Sequence, residues 1–192
     1  MISSAEAVSR AQELRHVLEF LPTRLFDDLV AAAAAASASL RKQGGIFFVG
    51  NGGSAAEAEH LAAELLGRFA TERPPMRGGT LTASGVVLTA LANDYAADEL
   101  FARQVRGLLD ENDTLVALST SGRSRNVLRA LDEARRIGCT RIGFTGVFAA
   151  EFTTRCDWVL AVPSASVPRI QEVHLMLGHT FCEIVENTMT SF

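Results

Sequence analysis

Residues 45–69 read GIFFVGNGGSAAEAEHLAAELLGRF, and how this stretch is read decides the fold. Ile46, Phe47, Phe48 and Val49 make an apolar run too short for a helix. The run meets a glycine-rich turn, Gly50-Asn51-Gly52-Gly53-Ser54, after which a helical pattern continues with no proline before Pro74. The stretch predicts strand, turn and helix. Glycines at such a turn let the backbone approach a ligand closely, and the helix start offers unpaired N–H groups and the positive end of a dipole to an anion. His60 and Glu64 stand four residues apart on one helix face, where a base and a metal ligand would meet whatever the turn holds.

Before this unit, residues 3–21 and 24–42 predict two helices broken at Pro22. Val8, Leu14, Val17, Leu18 and Leu21 recur at helical intervals in the first, and the second contains the alanine run 31–36. Alanine favours helix, and its small side chain admits a neighbour closely, so the run predicts a packing surface with another subunit as candidate partner. After the unit come strands at 79–83, 114–118, 141–145 and 158–162. They alternate with helices at 85–91, 98–109, 125–137, 149–154 and 167–188, and Asn93-Asp94 is expected as a polar turn. Alternating strands and helices predict an α/β domain whose mainly parallel sheet is covered on both faces. No linker-like shift in composition divides the chain. A single domain over 1–192 is expected, with 1–42 as an N-terminal helical oligomerisation segment.

The chain has 192 residues, 48% hydrophobic and 21% charged, with a net charge of −4. That balance gives no basic field for nucleic acid or an acidic membrane, so a small molecule or another protein is the expected partner. Cys139, Cys156 and Cys182 are an odd set without CxxC spacing, which predicts neither a disulfide framework nor a structural zinc knot. The N-terminal residues carry Glu6, Glu13 and Glu19 and lack the basic-then-apolar pattern of a signal peptide. No apolar run approaches the roughly 20 residues of a membrane span. A cytoplasmic protein is expected.

A second turn, Ser119-Thr120-Ser121-Gly122-Arg123-Ser124, also follows a strand and opens a helix. Four hydroxyls in six residues, a permissive glycine and a helix N-terminus can satisfy a phosphate without a lysine. The competing expectation is a serine-rich N-cap. A Walker A loop is absent, and Gly50-Asn51-Gly52-Gly53 does not complete GxGxxG. In open parallel sheets, ligands sit at the carboxyl ends of the strands, where strand order reverses. Both turns and Asn93-Asp94 are expected there.

Four ordered segments, GNGGSAAEAEHLAAELLGRF, ALANDYAADELFARQV, LSTSGRSRNVL and RIQEVHLMLGH, resemble the sedoheptulose 7-phosphate isomerases (phosphoheptose isomerases) of the sugar isomerase (SIS) superfamily. The similarity covers residues 45–186. It implies a three-layer α-β-α sandwich, flavodoxin-like, with a five-stranded parallel sheet, preceded by N-terminal helices. It also implies a homotetramer with clefts shared between subunits. Carried over by residue, it makes Asn51, Gly52 and Gly53 contacts to the sugar and places Asn93 and Asp94 beside it. Ser119, Thr120, Ser121 and Ser124 match the phosphate clamp, and Ser54 is an addition. His60, Glu64, Gln171 and His179 match residues holding one zinc ion per subunit, with Gln171 also near the substrate. Glu64 and His179 are the implied acid/base pair.

The implied chemistry is aldose-ketose isomerisation of D-sedoheptulose 7-phosphate to D-glycero-D-manno-heptose 7-phosphate, feeding nucleotide-activated heptose for bacterial surface glycans such as lipopolysaccharide. A proton leaves carbon 1 and another arrives at carbon 2 through an enediol, so a carboxylate base and an imidazole shuttle are the residue types wanted. Two alternatives stand beside it: a tetrameric SIS-domain adaptor binding the replication initiator protein, which has no need of the quartet His60, Glu64, Gln171 and His179, and an isomerase for another sugar phosphate.

Gln171 and His179 are eight residues apart, about 12 Å along a helix and roughly 80° around it. Spacing alone would favour His174 as partner of Gln171; the resemblance selects His179, with His174 as a packed neighbour and groups from different chains sharing the site. Glu57 and Glu59 are expected to be solvated or turn-stabilising residues near a helix start. Arg68 occupies a position where family members also carry arginine. Two departures stand out: Pro168 replaces an acidic residue before the Arg-Ile-Gln motif, and Glu57 replaces an aspartate. His16 carries no functional signal.

Overall fold

The computed structural model describes residues 3–191, so Met1, Ile2 and Phe192, at the ends of the expected domain, lie outside the described residues. Helices α1 (Ser4–Glu19) and α2 (Thr23–Arg41) precede β1 (Ile46–Gly50). There follow α3 (Gly53–Leu66), β2 (Gly78–Thr80), α4 (Gly85–Asp94), α5 (Glu99–Leu108), β3 (Thr114–Ser119) and α6 (Arg125–Ile137). The chain continues with β4 (Thr140–Thr145), α7 (Ala150–Thr153), β5 (Trp158–Ala161) and α8 (Val167–Thr190).

The five strands form one sheet in the order β2-β1-β3-β4-β5, every neighbouring pair parallel. β1 and β3 are apolar almost throughout because both their faces are covered, and alternate side chains enter different layers. Ile46, Phe48, Val116 and Leu118 join the layer under α2, α3 and α8, packed with Leu29, Leu61, Val173 and Phe181. Val49, Leu115 and Ala117 join the other, with Phe101 and Val105 of α5 and Val127 and Leu131 of α6. The expected three-layer sandwich with a five-stranded parallel sheet is what forms.

The partner of α2 lies within the chain. Leu25, Leu29, Ala32, Ala33 and Ala36 are buried in the first layer, so the alanine run packs against its own sheet and α8. Among the described residues, α1 and α4 bury no side chain. Val86 on α4 is 79% exposed, and Val8, Phe20 and Tyr95 are exposed as well. Asn93 and Asp94 do not form a separate turn at a strand's carboxyl end. The hydrogen bond from Tyr95 N–H to the Leu91 carbonyl carries α4 through both, leaving them in its last turn. No described helix is long and apolar enough to cross a membrane.

Candidate active site

The order β2-β1-β3 places β2 and β3 on opposite sides of β1, so the direction of winding reverses between β1 and β3. The crevice outside the carboxyl ends of these two strands is where such a sheet receives its ligand. Gly50 is in register with Leu118, and Ser119 with Thr145, so the glycine turn and the serine turn emerge side by side. The Asn51 amide donates to Asn126 Oδ1 at 2.8 Å, and the Asn126 amide donates back to Asn51 Oδ1 at 2.9 Å, tying the two turns together. Asn126 was missed in the sequence because nothing local distinguishes an asparagine on the first turn of a helix.

Between the turns is a cavity of about 230 Å³ whose polar lining comes from Asn51, Ser54, Ser119, Thr120, Ser124 and Gln171. Ser124 precedes α6 without capping it, and its hydroxyl accepts from Ser119 Oγ at 3.1 Å. Ser124 holds the N-cap position, but its hydroxyl makes no capping bond and the residue lines the cavity, which weighs against the N-cap alternative. Gly122, at φ 62°, is the hinge of the serine turn; a Cβ there would lie 2.1 Å from the Phe148 carbonyl oxygen. Ser121 is exposed and accepts from Arg123 N–H at 3.2 Å, and it does not line the cavity. Pro168 occupies the first turn of α8, where a missing N–H removes no helical bond.

A second polar cluster lies further along α3. His60 Nε2 is 2.7 Å from His179 Nε2 and 3.4 Å from Glu64 Oε1. All three residues offer ligand atoms within 4.8 Å of one another. The close approach of α3 and α8 makes this possible. Gly178 lies against Leu61, and a Cβ on it would come within 2.7 Å of Leu61 Cδ1. His60, Glu64 and His179 thus gather within one chain, contrary to the expectation from spacing that different chains supply them. Two imidazoles and a carboxylate are the three protein ligands of a catalytic zinc with its fourth position open, so the donor set fits a divalent ion. Gln171, two turns before His179, packs instead on Gly53, where a Cβ would meet its Nε2 at 2.4 Å.

Between cavity and cluster sits Glu57, three residues before His60 and seven before Glu64 on the same helix face. Of the two roles expected for it, solvated or turn-stabilising, the solvated one does not hold. Its Oε2 is buried and finds no partner among the described residues. Burial pushes its carboxyl up to about 7, with a bond from Ser54 pulling weakly the other way. Glu59 is exposed and accepts from Thr82 Oγ1 at 3.1 Å. His174 is fully buried, its Nε2 3.2 Å from the Thr145 carbonyl oxygen, and burial holds its imidazole down to about 4. It is the packed neighbour expected.

Asn93 and Asp94 are exposed and do not line this cavity; the Asn93 amide donates to Asp94 Oδ1 at 2.8 Å. Arg68 is exposed beside Glu72, 3.6 Å away. A larger hollow of about 480 Å³ opens near the amino ends of β1 and β2, among Leu40, Met76, Arg77 and Met189. Its lining contains no carboxylate, imidazole or thiol, so it offers neither base nor nucleophile. Cys139 and Cys182 are buried and Cys156 is partly so, and burial pushes all three thiols up to about 12.

The SIS domain model matches residues 11–146. The phosphoheptose isomerase of Maridesulfovibrio salexigens is 49% identical over 142 residues, 74% of this chain and 69% of that one. That of Burkholderia pseudomallei is 48% identical over 144 residues, 75% of this chain and 73% of its own. Among solved structures, the phosphoheptose isomerase of Neisseria gonorrhoeae superposes with TM-score 0.89 at 33% identity, covering 95% of this chain and 98% of that chain. The Francisella tularensis enzyme gives 0.92 at 32% identity, covering 97% and 100%.

Proposed function

The chain belongs to the phosphoheptose isomerase family of SIS-domain proteins, and from that premise we propose that it interconverts D-sedoheptulose 7-phosphate and D-glycero-D-manno-heptose 7-phosphate. The observation that carries the reading is the placement of a hydroxyl-lined cavity and a His-Glu-His cluster along one helix. Ser54 and His60 are separated by about 9 Å of helix axis at 1.5 Å per residue. A sugar laid along α3 then has its phosphate among Ser54, Ser119, Thr120 and Ser124, with Ser121 outside the cavity but 3.4 Å from Ser119 Oγ, and its carbonyl end at His60, Glu64 and His179. Asn51, Gly52, Gly53 and Gln171 lie beside its hydroxyls. The adaptor alternative is not favoured, because binding a protein gives no use to an imidazole pair and a carboxylate converging within 4.8 Å.

In this reading, the Glu64 carboxylate takes the proton from carbon 1, and His179 moves protons between the oxygens and carbon 2 as the enediol forms and collapses. Positioned acid and base groups of this kind contribute roughly 10²–10⁴-fold each. His60, Glu64 and His179 would hold one zinc ion per subunit, while Gln171, packed on Gly53, would serve the sugar and not the ion. When bound, that ion supplies a Lewis acid that polarises the carbonyl. The Asn51–Asn126 amide pair keeps the two turns at fixed separation, so the phosphate end is held while the reactive carbons meet Glu64.

The reading includes a homotetramer. The exposed apolar faces of α1 and α4 are its proposed contacts, which would bring Asn93 and Asp94 to a neighbour's site. A cytoplasmic enzyme supplying heptose for lipopolysaccharide is the corresponding cellular role. The test is an assay of a phosphosugar panel, with and without chelator. Heptulose 7-phosphate turns over and the chelator abolishes it; conversion of only pentose or hexose phosphates, or no conversion at all, would overturn the assignment.

A further inference from the structure

The three donor groups come from two helices, and a buried ion pair binds those helices together directly beside them. Arg73 and Glu186 have side chains only 3% and 2% exposed, and Arg73 Nε donates to Glu186 Oε2 at 2.9 Å. The rest of the Arg73 fork grips the end of α3. Nη2 donates to the carbonyl of Glu64 itself at 2.9 Å, and Nη1 donates to those of Leu65 and Gly67 at 3.0 and 3.3 Å. Glu186, seven residues after His179 and so on the same face of α8, accepts from the N–H groups of Phe69, Ala70 and Thr71 at 2.8–2.9 Å. Phe69 in turn lays its ring 5.8 Å from that of His179.

We infer that Arg73 and Glu186 are positioning residues for the metal cluster, holding the α3 end that carries Glu64 at a fixed distance from the α8 face that carries His179. The chemistry suits the task. A planar guanidinium binds several acceptors in one fixed geometry, which an ammonium does not. A carboxylate saturated by three amides and an arginine has one rotamer available. Partners behind the ligands of a metal site set its affinity by restricting how far the ligands stray. This inference rests on the reading of His60, Glu64 and His179 as metal ligands, and it assigns a role to two residues that touch neither metal nor sugar.

Removing one partner leaves a buried charge uncompensated, so single variants are prone not to fold. Arg73→Met/Glu186→Gln removes both charges while keeping an acceptor for the amides of residues 69–71, and Arg73→Lys keeps charge without the fork. The full-length proteins are titrated with Co²⁺, followed by its visible spectrum and by competition with a chelator, well below each melting temperature. Binding of inorganic phosphate at the serine turn is measured alongside. The expected result is metal affinity about 10- to 100-fold weaker in the double variant, intermediate in Arg73→Lys, with phosphate affinity within twofold of wild type. Folded variants that bind Co²⁺ as tightly as wild type overturn the clamp while leaving the metal reading intact. Equal losses at both sites reduce the pair to general stability and overturn it too. A wild type that takes up no divalent ion removes the metal reading and the clamp's role with it.

Discussion

His60 on α3 and His179 on α8 bring their Nε2 atoms to 2.7 Å, although 119 residues separate them in the chain. At that distance the two nitrogens share one hydrogen; on a tetrahedral zinc, with each nitrogen about 2.0–2.1 Å from the metal, they would stand about 3.3 Å apart, so a bound ion would part them slightly. With Glu64 Oε1 3.4 Å from His60 Nε2, the cation is the arrangement that uses all three groups. His60→Gln and His179→Gln are therefore each expected to lower bound zinc, measured by atomic absorption after dialysis, by at least tenfold. Unchanged metal content in either would show that its imidazole serves only the hydrogen bond.

Glu64→Gln removes the proposed base and preserves shape. Turnover is expected to drop by about 10²–10⁴-fold, the usual contribution of a positioned base. The melting temperature should move little, since glutamine keeps the size and shape of a side chain that is only 21% exposed. Turnover within tenfold of wild type would take Glu64 out of the proton transfer.

Gly122→Ala tests the phosphate end. The residue sits at φ 62°, and its new Cβ would meet the Phe148 carbonyl oxygen at 2.1 Å. The left-handed backbone alone costs about 1–2 kcal/mol for a residue with a Cβ. The serine turn must shift, so KM for the sugar phosphate is expected to rise by more than kcat falls. An unaltered KM would place the phosphate elsewhere.

Glu57 gives a pH signature. Its carboxyl is raised from 4.5 to about 7 by burial. Between those values the folded chain holds a proton that the unfolded chain has released, so stability falls as pH rises from about 4.5 through 7 and levels off above. Glu57→Gln removes this term. Its melting temperature, followed from pH 5 to 8, is expected to decline less with pH than that of wild type. Parallel profiles would mean that the carboxyl is solvated.

The sheet was legible because β1 and β3 are apolar on both faces, a pattern with few alternatives, and because each is followed by glycine and hydroxyl residues that end it. The pairing of His60 with Glu64 was legible from helical spacing. Its meeting with His179 was legible only through the family resemblance and not from spacing, because that contact depends on Gly178 letting Leu61 approach, a packing detail without periodicity. Glu57 was misjudged for a related reason. An acidic residue near a helix start is ordinarily solvated, and the burial of its Oε2 comes from tertiary packing that local sequence does not display. Asn93 and Asp94 look like a turn locally, yet the helix runs through them.

The exposure of α4 leads to the last prediction. Single exposed apolar residues are ordinary, but α4 reads GVVLTALAND and buries no side chain. Val86 is 79% exposed and Tyr95 43%. A helix of that composition needs cover, and the proposed cover is a second copy of this chain. The protein should therefore run above its 20.6 kDa monomer mass in light scattering. Val86→Asp, which puts a charge into the proposed contact, should lower that mass and lower activity with it, because Asn93 and Asp94 on the same helix would lose their place beside a neighbour's sugar. The wild type as a fully active monomer would sink the proposal. So would a Val86→Asp variant that dissociates without losing turnover, since each chain would then hold a complete site.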